Sequence, residues 1–450
     1  MSLELHPSTD PAIEYPSPRR NMKPEIINMA QIRAKFPALQ ETDEDDRPYV
    51  FFDGPGGTQV PQDVYHGMRD YFRKANANQD GRFVTSRRND EILAGAREAM
   101  ADFLNASSPR EIVFGANMTS LTFNLSRSIG RHLQPGDEIV VTRLDHDANV
   151  APWKALEEIG LVVRWVDFDP DNCCLDLDDM SNQINTKTKL VAVGYASNAV
   201  GTINPIKKIA AKAHAVGAWL WVDAVHYAPH GPIDVQALDC DFLVLSAYKF
   251  FGPHVGILYG KYALLDQLAA YKVRPADPQP PYKFETGTLY QEGLAGLTAA
   301  IDYLAELGQL FPSDGNQSDL GLPDEYRGRR RLLKQTMSQV AAYERYLFAE
   351  LLSGIMQIDG VHVYGITDPD RMVDRCPTLA FTLANNSPGQ VAEYLGNQGI
   401  FVWDGNYYAI SVTERLGLEA SGGMVRVGLV HYNTLDEVKR LLTAISTMGK

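Results

Sequence analysis

Two residues near the middle of the chain have reactive side chains and a spacing that would bring them together. The run Trp219-Leu-Trp-Val-Asp223 is apolar and ends in an acid. The next apolar run, Asp241-Phe-Leu-Val-Leu-Ser246, delivers Lys249 three residues after its end. Parallel strands joined by a short crossover finish on the same sheet edge, where open α/β sheets place their ligands. Taken singly, Asp223 reads as a helix cap and Lys249 as a solvated side chain. As a pair they suggest pyridoxal phosphate (PLP) chemistry. That cofactor needs an amine for a Schiff base and a carboxylate to keep its pyridine nitrogen protonated.

Two further segments fit the same chemistry. Gly115-Ala-Asn-Met-Thr-Ser120 lies between a strand pattern and a helix pattern. Backbone N–H groups and the helix dipole favour an anion there, and Thr119 and Ser120 add hydroxyls. Capping Ser and Thr also occur without any ligand, so the turn alone is a weak signal. Leu144-Asp-His-Asp-Ala-Asn149 follows a strand pattern at 138–142. His146 could lie flat on an aromatic cofactor ring, although in isolation it reads as a loop histidine.

These residues need a scaffold, and the chain predicts one. Helical spacing of Ile92, Leu93, Ala96, Met100 and Phe103 predicts a helix over 88–104, and a second follows with Leu121, Leu125 and Ile129 on one face. Strand-like runs at 111–114, 138–142, 162–168, 189–195, 218–223 and 241–246 are nearly continuous in apolar residues. Such alternation predicts an α/β fold with a mostly parallel sheet covered on both faces. The polar stretch 313–325 reads as a linker. Beyond it come a long helix (329–353), strands (361–364, 378–383, 425–430) and helices (388–398, 435–447). The expected organisation is an extended Pro-rich arm (1–25), a segment packing with the small domain (26–85), a large PLP-binding domain (86–312) and a small α+β domain (313–450).

Composition sets the outer limits. The 450 residues fit two or three domains at roughly 100–200 residues each. With 42 basic against 56 acidic residues the net charge is −14, which argues against nucleic acid or an anionic membrane as the main partner. The four cysteines form no CxxC pair, so neither a disulfide framework nor a zinc ribbon is expected. No run approaches the ~18 consecutive apolar residues of a membrane span, and the N-terminus lacks signal-peptide character, so a cytoplasmic protein is expected. His226 and His230 stand four apart, near Asp223, but without the glutamate motif of a zinc helix; no metal is assigned. Without GxGxxG, a nicotinamide enzyme has little support.

The chain resembles class V aminotransferase-family PLP enzymes, close to the group II cysteine desulfurases and the isopenicillin N epimerase-related proteins. The matching strings are Phe51–Gln59, Asp145–Asn149, Ala196–Gly201, Val222–His226, Ser246–Lys249, Phe284–Thr288 and Arg426–Thr434. The resemblance implies fold type I and a homodimer with shared active sites. It implies Lys249 as the Schiff-base lysine, Asp223 on the pyridinium nitrogen and His146 stacked on the ring. Asn198 and His226 would lie near the phenolic oxygen, where the family more often has Gln in place of His226. Thr119 and Ser246 would hold the phosphate with backbone help near Met118. Thr288 would reach the phosphate of the neighbouring subunit. Arg426 would clamp a substrate carboxylate, for which its planar fork is well shaped.

One departure bears on the reaction. Desulfurases of this type carry a persulfide-forming Cys in a loop that here reads Trp403-Asp-Gly-Asn-Tyr-Tyr-Ala409, with Tyr408 at the Cys position. A phenol cannot take up sulfur as a thiolate does. Cys376 aligns with the start of a strand and reads as structural. Neither desulfuration through a protein persulfide nor a sulfur-acceptor partner is therefore expected. The expected substrate is an amino acid or amine, with Asn406 and Tyr408 among the pocket residues and Arg82 or Phe83 nearby. A desulfurase-like lyase or transferase leads; an aminotransferase or epimerase, or a non-catalytic PLP-binding scaffold, are the alternatives.

Overall fold

The computed structural model describes residues 28–310 and 326–448. The arm expected at 1–25 and the linker expected at 313–325 lie outside them.

A seven-stranded sheet organises the first half. Its strands are β1 (Ile112–Gly115), β2 (Glu138–Thr142), β3 (Val162–Val166), β4 (Thr188–Gly194), β5 (Trp219–Asp223), β6 (Phe242–Ser246) and β7 (Gly256–Gly260). Their spatial order is β1-β7-β6-β5-β4-β2-β3. The pairs from β6 through β3 are parallel, and only β7 runs against its neighbours. The sheet is mostly parallel, as the apolar runs predict.

Alternation along each strand divides the apolar residues between two layers. Leu220, Val222, Leu243 and Leu245 belong to one cluster. Trp221, Phe242 and Val244 belong to the other. Helices α1 (Gln62–Lys74), α2 (Val84–Leu104), α3 (Met118–Gly130), α4 (Ile206–His214) and α5 (Gln291–Leu307) complete this half. Leu93, Ala96 and Met100 of α2 join the first cluster, and Leu121, Leu125 and Ile129 of α3 the second. Burial on both faces is why these strands lack the polar alternation of a solvent-facing sheet.

Beyond the undescribed stretch, α6 (Gly328–Ile355) leads into an antiparallel sheet of β8 (Val361–Tyr364), β9 (Thr378–Leu383), β10 (Trp403–Gly405) and β11 (Met424–Gly428), in the order β8-β9-β11-β10. Helix α7 (Pro388–Gly396) packs on this sheet, and α8 (Leu435–Met448) packs on α6 and α7. Residues 28–60 run beside this layer: Val50–Phe51 pairs with Ile400–Phe401, and Arg33 bonds Glu437 at 2.8 Å. Helix α1 instead lies on α5 of the first half. Among the described residues no helix is long and apolar enough to cross a membrane.

Candidate active site

The parallel register brings the reactive residues to one edge. Gly194 at the end of β4 stands opposite Asp223 at the end of β5, which in turn pairs with Val244 of β6. Lys249 closes the 3₁₀ turn directly after β6. His146 follows β2, Asn198 follows β4, and Met118 and Thr119 open α3. All of them line one cleft of about 1060 Å³, together with Ser246, His226, Asn406, Tyr408 and Arg426. Thr288 does not reach it in the same chain; it lines a separate surface cleft with Arg97, Tyr271 and Tyr282. Arg82 and Phe83 are likewise not among the lining residues, and Phe83 is exposed.

Burial dominates the electrostatics. Desolvation lowers the Lys249 ammonium to about 7; Arg426 adds to this, and Asp223 and Asp53 oppose it. Its Nζ donates to the Pro55 carbonyl and lies 4.9 Å from the Tyr248 ring centroid. Burial raises Asp223 to about 6, against the Val225 amide that donates to its Oδ1 at 2.9 Å and the charge of Lys249. Burial also raises Asp145, to about 8, where the Gly194 amide opposes it and the charge of Asp223 adds to it. His146 is lowered to about 4 by burial, Lys249 and Arg426. It is neutral, and its Nδ1 accepts from the Ala148 amide at 3.0 Å, which puts its proton on Nε2.

The anion cup is assembled at the start of α3. Asn117 caps the helix by accepting from the Ser120 amide at 2.8 Å, and Ser246 Oγ accepts from the Met118 amide at 3.0 Å. Gly256 permits this approach: a Cβ there would sit 2.4 Å from the Asn117 backbone carbon. On the opposite wall Arg426 donates to the Asn198 carbonyl at 2.8 Å and stacks 4.1 Å from the Tyr407 ring centroid. Two buried atoms of these cleft residues, Arg426 Nε and Asn198 Oδ1, lack a protein partner. An amine, a buried acid, a flat neutral imidazole, a helix N-terminus and an arginine therefore surround one cavity. These donors fit the aldehyde, ring nitrogen, ring face and phosphate of PLP, with the arginine left for a carboxylate.

Several contributors carry no sequence signal of their own. Asp53, half-buried and raised to about 6 by desolvation, feels both Arg426 and Lys249. Pro55, Asp145 and Tyr248 are cleft residues within or beside the strings that carry the resemblance. Glu419 is visible only through contact: it accepts from Asn406 Nδ2 at 2.9 Å. The outer wall is residues 403–408. Tyr408 stacks on His146, with centroids 5.6 Å apart and planes 20° apart, and its carbonyl accepts from the Asp147 amide at 2.7 Å. None of the four cysteines lines the cleft, and Cys376 is buried.

Comparison with known proteins identifies the family. The family model "Aminotransferase class-V" matches residues 50–311 and 330–441. A cysteine desulfurase of Serratia proteamaculans is 31% identical over 436 residues, covering 93% of this chain and 98% of that protein. A cysteine desulfurase of Synechococcus elongatus is 34% identical over 434 residues, covering 93% of this chain and 63% of that one. The apo structure of a cysteine desulfurase from Thermococcus onnurineus superposes with a TM-score of 0.79 at 26% identity, over 95% of this chain and 98% of that one. This chain belongs to the class V aminotransferase family and is a PLP-dependent enzyme.

Proposed function

We propose that the enzyme breaks a bond at the α carbon of an amino acid or amine, as a desulfurase-like lyase or transferase that does not form a protein persulfide. The observation that carries this is Lys249, Asp223 and Arg426 in one cleft whose outer wall, residues 403–409, contains no cysteine.

When bound, PLP supplies an electron sink for the bond that breaks. Lys249 would hold the cofactor, and Thr119, Ser246 and the backbone near Met118 would hold its phosphate. Asp223, ionised above about 6, would keep the ring nitrogen cationic. His146 would cover the ring, and Asn198 and His226 would serve the phenolic oxygen. Arg426 binds the substrate carboxylate and so decides which bond to the α carbon is aligned for cleavage. Once the substrate amine has displaced it, Lys249 Nζ is left as a free amine in the cleft and would take the α-proton as general base. Charge placed in advance in this way is the main source of rate enhancement. Asn406 and Tyr408 contact the substrate side chain. The enzyme works as a cytoplasmic homodimer in which Thr288 reaches the partner's phosphate site.

The test is a spectrum of the purified protein, followed by titration with L- and D-amino acids including cysteine. A band near ~420 nm that is absent in Lys249→Ala is expected. A keto acid product marks amino transfer, and racemised substrate marks epimerisation. Stoichiometric sulfide release from cysteine, retained in variants of each of the four cysteines, would place desulfuration in the cleft without a protein thiol. Absence of any band with excess PLP would sink this reading, and a band without turnover of any amino acid or amine would favour the PLP-binding scaffold.

A further inference from the structure

Against the back of the cleft lies a second group of buried side chains, of which only His226 also lines the cleft; His230 and Cys376 have no part in the proposed reaction. One ring nitrogen each of His226 and His230 and the Sγ of Cys376 lie within 4.8 Å of one another, and all three residues are buried. The histidines come from the turn after β5, whereas the cysteine stands just before β9. Sequence spacing pairs the histidines with Asp223; the fold supplies Cys376 instead.

We propose that this triad is a binding site for a soft divalent cation, zinc first among them. The donor set is the first support, because imidazole and thiolate are the ligands that select zinc over calcium or magnesium. The layer behind the ligands is the second. Glu344 Oε2 lies 2.8 Å from His230 Nδ1, the carboxylate–histidine arrangement that orients a metal-binding imidazole and leaves Nε2 for the metal. His226 Nε2 faces Thr378 Oγ1 at 3.0 Å, a partner that can serve as acceptor behind the ring or be displaced. The third support is space. A cavity of about 70 Å³, lined by His230, Glu344 and Cys376, adjoins the triad and has room for a water as fourth ligand.

Tetrahedral zinc holds such ligand atoms roughly 3.4–3.7 Å apart, so side-chain shifts of about an ångström close the triangle. Arg375, beside Cys376, spends its guanidinium on the carbonyls of Ile366, Val200 and Thr378. Binding releases the thiol proton to solvent and needs no redox partner. The site would tie the turn that follows Asp223 to β9 of the small sheet.

The PLP-loaded protein is dialysed against zinc, desalted and analysed for metal. One zinc per chain is expected, falling at least about tenfold in Cys376→Ser and in His230→Gln. Glu344→Gln should weaken zinc binding roughly 10–100-fold without removing a ligand. Cobalt in place of zinc should give intense d–d bands near ~600–700 nm, clear of the cofactor, lost in Cys376→Ser. Wild-type protein that holds no zinc overturns the proposal, as does zinc retained equally in both ligand variants. Melting temperature and the cofactor band identify a variant that has simply unfolded, and Cys376→Ser, nearly isosteric, stands in for any that has.

Discussion

The two walls of the cleft are built on different principles. The inner wall consists of strand ends. Asp223 closes β5, Ser246 closes β6 and His146 follows β2, each backed by a strand buried on both faces. The outer wall, residues 403–408, consists of β10, the edge strand of the small sheet, and the three residues after it. Trp403 is 50% exposed and Tyr408 75%. Tyr407 and Tyr408 both hold left-handed backbone, with φ of 56° and 58°. For bulky residues that costs about 1–3 kcal/mol each. The cost is offset by contacts the folded cleft supplies: Asp147 on the Tyr408 carbonyl, Asn198 on the Tyr407 carbonyl at 2.9 Å, and Arg426 over the Tyr407 ring. General chemistry thus sits on rigid elements, and selectivity on a strained segment held in place by them.

The sharpest way to break this comparison is Lys249→Ala. Turnover should fall at least ~10³-fold, with loss of the band near ~420 nm. Turnover that survives would remove the inner wall from the chemistry. Asp223→Asn should lower kcat by ~10²–10³ with little change in KM, because it acts on charge that develops in the transition state. An equal kcat loss in Tyr408→Ala would erase the distinction between the walls. Arg426→Lys should lower kcat/KM for carboxylate-bearing substrates by roughly 10–100-fold, and for simple amines much less. Uniform loss across both classes would mean that Arg426 is structural.

Two smaller effects sharpen it. Tyr408→Gly should raise stability by about 1 kcal/mol, since glycine adopts positive φ freely, while widening the range of substrates accepted. A lower melting temperature would show that the stack on His146 outweighs the strain. The last concerns pH. In cofactor-free protein the Lys249 pKa lies near 7, below its ordinary 10.5. Between those values the unfolded chain binds more protons, so this group makes stability rise with pH across that window. The neutral amine is the nucleophile, so the rate of PLP loading should climb through pH 7 and level off above it. Arg426→Gln should move that midpoint upward, because it removes a positive neighbour. A stopped-flow profile with a midpoint near that of a free lysine would contradict the burial argument.

Much of the inner wall was legible because period and chemistry coincide there. An apolar strand run that ends in Asp223, and another that delivers Lys249, carry both their structure and their role in local sequence. Helix α3 and its Asn117-Met-Thr-Ser turn were readable for the same reason. Asp53 was legible only as a member of the matching string Phe51–Gln59; the fold alone sets it where the charges of Lys249 and Arg426 reach it. Glu419 and the His226–His230–Cys376 triad were hidden, because the elements that carry them are distant in sequence. Phe83, expected near the pocket, falls outside the cleft, and Thr288 lies outside the cleft of its own chain.

By itself the sequence determined the α/β class, the mostly parallel sheet and the residues gathered at its edge. Those follow from hydrophobic period and strand order, which are local properties summed along the chain. Only the tertiary structure decided which acids are buried deeply enough to be raised, which face of His146 is covered, and that Tyr407 and Tyr408 hold left-handed backbone at the cleft wall. Desolvation and strain depend on every neighbour at once, and those neighbours come from segments hundreds of residues apart, as Arg426 on Asn198 shows.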